Sequence, residues 1–280
     1  MTSEPLRVGE IPYLNMFPLF TSLKNYFNNR DIEFIRGHPA ELNLKLRNNL
    51  IDVSPSSSIE YARKYAQYFL IPDISVSSRR KVKSVILFSP FELEKKNDFS
   101  IFVTPNSDTA VTLLKIILRE FIGIKANLIS VKETDRMAAK ENAPYLLIGD
   151  DAIRESIKRE NTKTSFQYDL GAMWREFTDL PFVFALWIVN GESYGNRKKS
   201  IVKFSRKLLD AKKISLNLIR YRNEKMLAND AYPWGFLNDY WTNLSYDLDR
   251  EMEGLLKFFE LSAKIGEIEC SPELRFIDLL

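Results

Sequence analysis

The order of segments along this chain predicts an α/β fold with mostly parallel sheets. Three observations carry that expectation. Short β-type runs alternate with amphipathic helical runs over most of the first 190 residues, a pattern that lays helices on the faces of a sheet. Phe182–Val189 (FVFALWIV) is apolar on both faces, as a central strand must be. The 280 residues are 45% apolar, which supplies a sizeable core. At roughly 100–200 residues per domain, this length suggests two domains or one large one.

The elements follow in order. Leu6–Gly9 reads as a short strand, and Pro18–Phe27 as a helix with Pro in its permissive first turn. Ile32–Ile35 is a strand. Pro39–Asn49 is an amphipathic helix opened by Pro and closed by Asn, and Leu50–Val53 is another strand. Ser57–Tyr68 follows as a helix, with Ser57 and Glu60 at capping-box spacing. Val82–Phe88 and Ile101–Thr104 are strands. Thr109–Phe121 is a strongly apolar helix carrying Val111, Leu114, Ile117, Leu118 and Phe121 on one face. Asn127–Val131 is a strand, Glu133–Glu141 a helix and Tyr145–Ile148 a strand. Gly149-Asp150-Asp151 then opens a helix to about Arg159. From Tyr194 the chain is mostly helical, with breaks near Asp230–Gly235 and Tyr246–Asp249. No Gly/Ser- or Pro-rich linker divides it.

Composition excludes several chemistries. Lys plus Arg number 40 against 37 Asp plus Glu, a net charge of +3, so nucleic-acid binding through bulk charge is not expected. The single cysteine, Cys270, cannot build an internal disulfide framework or a cysteine-rich zinc site. The single histidine, His38, precludes any site needing two, and its place before Pro39 makes it a helix-entry residue. There is no G-x-G-x-x-G and no G-x-x-x-x-G-K, so a nucleotide cofactor on such a loop is not expected. The N-terminal sequence does not read as a secretory signal, and no run of about 18 apolar residues exists. The expectation is a cytoplasmic protein with no membrane contact. Oligomeric state is not readable.

Three places set small hydroxyl or amide residues where a strand gives way to a helix: Tyr13-Leu14-Asn15, Ser54–Ser58 and Asn106-Ser107-Asp108-Thr109. Ligands of open α/β sheets sit beyond the carboxyl ends of strands, and helix N-termini there suit carboxylate or phosphate. Plain helix capping explains any one of them; three on one chain raise a shared anion site to an equal alternative. Ser75–Lys83, with Arg79, Arg80, Lys81 and Lys83, reads as a solvated turn or a basic rim. Arg197-Lys198-Lys199 faces solvent in this reading. Asp150 and Asp151 are explained as a cap and a first-turn charge.

Several motifs together resemble the chorismate dehydratase family of the futalosine route to menaquinone. They are Tyr13-Leu14-Asn15 with Pro18-Leu19, Asp52-Val53 with Ser58-Ile59-Glu60-Tyr61, Ile71-Pro72-Asp73 and Ser84 to Ser89. Leu147-Ile148-Gly149-Asp150, Asp169-Leu170-Gly171, Trp174, Thr178 and Leu180 to Trp187 complete them. The resemblance runs over about residues 7–190, and Glu273-Leu274-Arg275-Phe276 resembles the family's C-terminus. It implies a two-lobed type II periplasmic-binding-protein-like fold. Lobe one would be 1–88 plus 190–280 and lobe two 89–189, with Val82–Phe88 and Phe182–Val189 as crossover strands and a ligand cleft between the lobes.

The implied reaction is loss of water from chorismate to give 3-(1-carboxyvinyloxy)benzoate, and the resemblance implies neither a metal nor an organic cofactor for it. Aromatisation drives it, so positioning matters more than a strong base, and the substrate's own enolpyruvyl carboxylate is expected to take the proton. By this resemblance Asn15 is catalytic and holds a reacting polar group, while Ser58, Ser84, Ser107 and Thr109 bind substrate carboxylates. The chain departs from the family pattern at Arg80 and Asp179, where Gly is usual, and at Asp108, where Arg is usual. Two alternatives stay open: a non-catalytic small-anion binding protein of the same fold, and the related dihydroxynaphthoate-forming enzyme of the same route.

Overall fold

A computed structural model describes residues 4–105, 107–132, 142–159, 166–229 and 231–280. The expected helix over 133–141 lies outside the described residues. Two sheets organise the chain. The first has six strands: β1 (Leu6–Glu10), β2 (Ile32–Arg36), β3 (Val53–Ser57), β4 (Tyr68–Ser78), β10 (Phe182–Asn190) and β11 (Leu244–Ser245), in the order β11-β4-β10-β3-β1-β2. The second has five: β5 (Val85–Ser89), β6 (Phe99–Val103), β7 (Ala126–Ser130), β8 (Tyr145–Ile148) and β9 (Phe166–Asp169), in the order β7-β6-β8-β5-β9.

Both sheets are mixed, which corrects the expectation of mostly parallel pairing. Within each half, strands linked through helices do run parallel: β1 beside β2 and β3, and β6 beside β7 and β8. Besides the short β11, antiparallel to β4, the exceptions are strands the chain enters from the other sheet. β5 arrives from the first sheet and is antiparallel to β8 and β9. β10 returns from the second and is antiparallel to both β3 and β4. As expected, β10 is central. Neither β5 nor β10 spans the two sheets. The chain passes between them through 79–84 and 179–181, a few residues earlier than the expected borders at 88 and 190.

Two strands depart from their expected positions. β3 begins where Leu50–Val53 was expected to end, because Val53-Ser-Pro-Ser-Ser57 is extended and buried despite reading as a loop. Gly9 makes this possible: a Cβ there would stand 2.2 Å from Ser54 Oγ, so only glycine lets β1 approach β3. β4 occupies eleven residues that carried no strand signal. Its register against β10 shifts around Pro72-Asp73, and Asp73 has a left-handed φ of 59°, the local signature of a bulge.

Helices cover the faces. They are α1 (Phe17–Tyr26), α2 (Pro39–Arg47), α3 (Ser58–Lys64), α4 (Asp108–Ile116, continued by a wider turn through Ile122), α5 (Gly149–Arg159) and α6 (Leu170–Thr178). α7 (Gly191–Arg220), the short α8 (Glu224–Leu227), α9 (Trp234–Asn243) and α10 (Met252–Lys264) follow. The capping box at the start of α3 does not form. Ser57 Oγ accepts from Asn43 Nδ2 at 2.9 Å, and the Glu60 carboxylate pairs with Arg47 and accepts from the Tyr68 hydroxyl. Arg197 kinks α7 (φ −133°, ψ 27°) and pairs with the buried Asp52 at 2.8 Å rather than facing solvent.

One hydrophobic cluster runs through both halves, from Val8 and Val53 through Trp187 and Phe258 to Leu113 and Leu87. α10 binds the halves on one side, lying against β10, α3 and α4. No described helix is long and apolar enough to cross a membrane.

Candidate functional site

The polar strand ends of the two halves meet at one small cavity of about 70 Å³. Asn15, Ser57, Ser84, Ser107 and Thr109 supply its polar lining together with Tyr13, while Ile11, Val85, Ile148 and Phe184 are among its apolar walls. Four of the five expected site residues are therefore brought together. Ser58 is the exception. It is fully buried, donates to the Val183 carbonyl at 2.8 Å and does not line the cavity; its neighbour Ser57 does. The start of α3 turns Ser58 toward β10.

Asn15 sits in the turn between β1 and α1. Its backbone is held from three directions. The Leu14 N–H donates to Asp150 Oδ1 at 3.0 Å, the Trp241 indole donates to the Leu14 carbonyl at 2.8 Å, and the Tyr246 hydroxyl donates to the Asn15 carbonyl at 2.5 Å. The turn is fixed, yet the Asn15 side-chain Oδ1 is buried with no hydrogen-bond partner among the described residues. A buried acceptor left unpaired is costly in a folded protein unless something else satisfies it.

Ser84 lies on the connection into β5. Its hydroxyl accepts from the buried Tyr240 hydroxyl at 2.9 Å, and its carbonyl accepts from the Gly149 N–H at 2.7 Å. Gly149 has a φ of 58°, and a Cβ there would stand 3.0 Å from the Tyr13 ring, so glycine is required on both counts. Ser107 caps α4, accepting from the Ala110 N–H at 3.3 Å. Thr109 Oγ1 accepts from the Ile59 N–H at 3.2 Å and lies 3.4 Å from Ser58 Oγ. It thus joins the N-terminus of α4 in one half to that of α3 in the other.

Among the described residues no charged side chain lines the cavity. What is there instead is the N-terminal end of α1, α4 and α5, presented by Asn15, by Ser107 and Thr109, and by Gly149. Such ends favour negative charge through free N–H groups and the helix dipole. Burial, followed by the charges of Asp151 and Asp150, pushes the Tyr13 phenol up to about 12. It therefore stays a neutral donor at physiological pH. Burial also pushes the Asp150 carboxyl above its ordinary value.

Asp108, the departure nearest an anion site, points away and pairs with Arg63 at 3.1 Å. Arg79 and Arg80 form no rim here; they line a separate cleft. Asp179, where the family pattern has Gly, takes a φ of 58° at the end of α6, which Asp tolerates better than most residues. Among the described residues no group of three or more His, Cys, Asp or Glu is placed to hold a metal.

Three contributors went unread in the sequence. Asp150, taken as a cap, is the latch to Leu14. Trp241 and Tyr246 lie in the C-terminal segment, where aromatic residues with a polar tip were the available signal.

The chain is 30% identical to a chorismate dehydratase of Campylobacter jejuni subsp. jejuni serotype O:23/36 over 181 residues, 63% of this chain and 64% of that protein, just under two thirds of its length. It is 29% identical to a chorismate dehydratase of Thermus thermophilus over 201 residues, 68% of this chain and 71% of that protein. Among solved structures, an Archaeoglobus fulgidus protein superposes with a TM-score of 0.72 at 16% identity, covering 96% of this chain and all of that one. The alkanesulfonate-binding protein SsuA from Xanthomonas axonopodis pv. citri, bound to MOPS, gives 0.66 at 14% identity, covering 97% and 96%. The fold is thus that of the periplasmic binding proteins. A family model described as menaquinone biosynthesis matches residues 6–264, and the chain belongs to that family.

Proposed function

We propose that this protein is a chorismate dehydratase, a hydro-lyase that converts chorismate to 3-(1-carboxyvinyloxy)benzoate and water. The observation that carries this reading is a cavity that brings together helix N-termini from both halves and, among the described residues, no charged side chain and an Asn15 acceptor without a partner. The names of the two relatives support it.

The chemistry follows from what the cavity offers. The electrons of a ring C–H bond form the new double bond, and the ring hydroxyl leaves as water with the proton. Among the described lining residues none is a strong base at neutral pH. The substrate's enolpyruvyl carboxylate takes the proton in this scheme. The protein binds the two carboxylates through helix-terminal N–H groups and the hydroxyls of Ser84, Ser107 and Thr109. The Asn15 carboxamide holds the ring hydroxyl. Orientation supplies the acceleration, and exclusion of water strengthens every bond in the site.

A cavity of about 70 Å³ is smaller than the ~300–1,000 Å³ of ordinary ligand sites. The halves must part to admit substrate, and the Thr109–Ile59 and Asp150–Leu14 bonds are the contacts that would open.

The test is turnover of chorismate by the purified chain, followed by loss of diene absorbance and appearance of an aromatic product. Asn15→Ala is expected to abolish most turnover while chorismate still binds. Binding without turnover by the unaltered chain would replace the enzyme reading with that of an anion-binding protein, and inertness would reject both.

A further inference from the structure

A roomier cleft lies elsewhere, with a volume of about 720 Å³. Arg79 and Arg80, at the start of the 79–84 connection, face it together with Arg220 and Arg222 from the C-terminal end of α7. Arg79 is tethered by the buried Glu251, Nε to Oε1 at 3.0 Å. Arg80, Arg220 and Arg222 have no ion pair among the described residues. Asp247 is the one carboxylate among the lining residues, and Lys212 already holds it at 3.0 Å. A concave surface with this excess of positive charge concentrates anions.

One further observation points to a ligand. Asn238 also lines the cleft, and its Oδ1 is buried with no partner among the described residues. Leu216, Ile219 and Trp241 add apolar surface that could accept a carbon frame.

This cleft adjoins the Asn15 turn. Trp241 and Tyr246 line it, and they are the residues that donate to the Leu14 and Asn15 carbonyls. We propose that the arginine cleft binds a small organic polyanion, and that its occupancy stiffens the turn carrying Asn15. Guanidinium groups take carboxylate and phosphate alike through paired N–H donors, so the ligand is defined by two or more acidic groups on a compact frame.

Titration calorimetry on the full chain tests this with two probes, citrate and inorganic pyrophosphate, at low ionic strength. One saturable site per chain is expected, weakening as salt is added, and the better probe identifies the acid as carboxylate or phosphate. The double variant Arg220→Gln/Arg222→Gln should weaken binding about tenfold or more with its unfolding temperature unchanged. Hydrogen exchange at residues 14–17 should slow with probe bound in the unaltered chain and not in the double variant.

The proposal is overturned if neither probe saturates by ~10 mM, beyond the millimolar range of weak specific binding. It is overturned equally if exchange at residues 14–17 ignores the probe, or if Thr109→Val weakens binding and the arginine variant does not, because the anion then sits in the cavity. None of these readouts uses chorismate, so their failure leaves the dehydratase reading untouched.

Discussion

Replacing Asp150 by Ala removes one defined contact between the two halves. Asp150 Oδ1 accepts the Leu14 N–H at 3.0 Å, and no other acceptor for that N–H is present among the described residues. A hydrogen bond to a charged group contributes about 1.5–3 kcal/mol net. If the bond exists only when the halves are closed, its loss lowers the closed population by that amount, roughly 10–150-fold at about 1.4 kcal/mol per tenfold. Chorismate turnover should show this as a fall in kcat/KM of the same order. Small-angle scattering on the ligand-free variant should show a larger radius of gyration than the unaltered chain. Asp150→Asn keeps an acceptor oxygen at the same reach and should retain most of the activity. The reasoning is refuted if Asp150→Ala matches the unaltered chain in both measurements, or if Asn is as damaging as Ala.

Three further predictions concern stability. Asp52 is fully buried and accepts from the Arg7 N–H at 2.8 Å, Arg7 Nη2 at 2.7 Å, Arg197 at 2.8 Å and Ser193 at 2.8 Å. Burial pushes its carboxyl up, but the Arg7 and Ser193 bonds outweigh that and hold it below its ordinary value. Its contribution is therefore present above about pH 4 and lost as pH falls through the lowered value. Urea unfolding of Asp52→Asn should be weaker at neutral pH and flatter below about pH 4 than that of the unaltered chain. Gly254→Ala would set a Cβ 1.8 Å from the Pro181 backbone carbonyl. Equilibrium unfolding should show a loss of ~3 kcal/mol or more, at the upper end for overpacking, because backbone cannot step aside. Asp179→Gly relieves a left-handed φ of 58° and should raise the unfolding midpoint by the equivalent of ~0.5–1 kcal/mol.

The sequence told most where local pattern decides the structure. β10 was legible because two apolar faces admit only a central position. α4 was legible because Val111, Leu114 and Leu118 recur at helical spacing. β3 and β4 were obscured by their own residues: Pro55 and three serines in one, and Pro72, Asp73 and three serines in the other, describe loops by composition. Their burial is imposed by β10 between them, which no local window contains. The site divides the same way. Asn15, Ser84, Ser107 and Thr109 announced themselves as small polar residues at strand ends or through the family resemblance, and the cavity gathers them. Ser58 stands apart from them because the start of α3 turns its hydroxyl to the Val183 carbonyl of β10. The bond from Trp241 to Leu14 spans 227 positions, and nothing near either residue marks the other.

The return of β10 into the middle of the first sheet has a consequence for biosynthesis. The N-terminal strands β1 to β4 leave the ribosome early, yet β3 and β4 meet only through β10, whose last residue is Asn190. Every pairing of the second sheet falls between Val85 and Asp169 and is available sooner. The nascent protein therefore carries two unclosed strand edges while about a hundred residues are still being translated. Contacts so distant along the chain slow folding and leave such edges open to association.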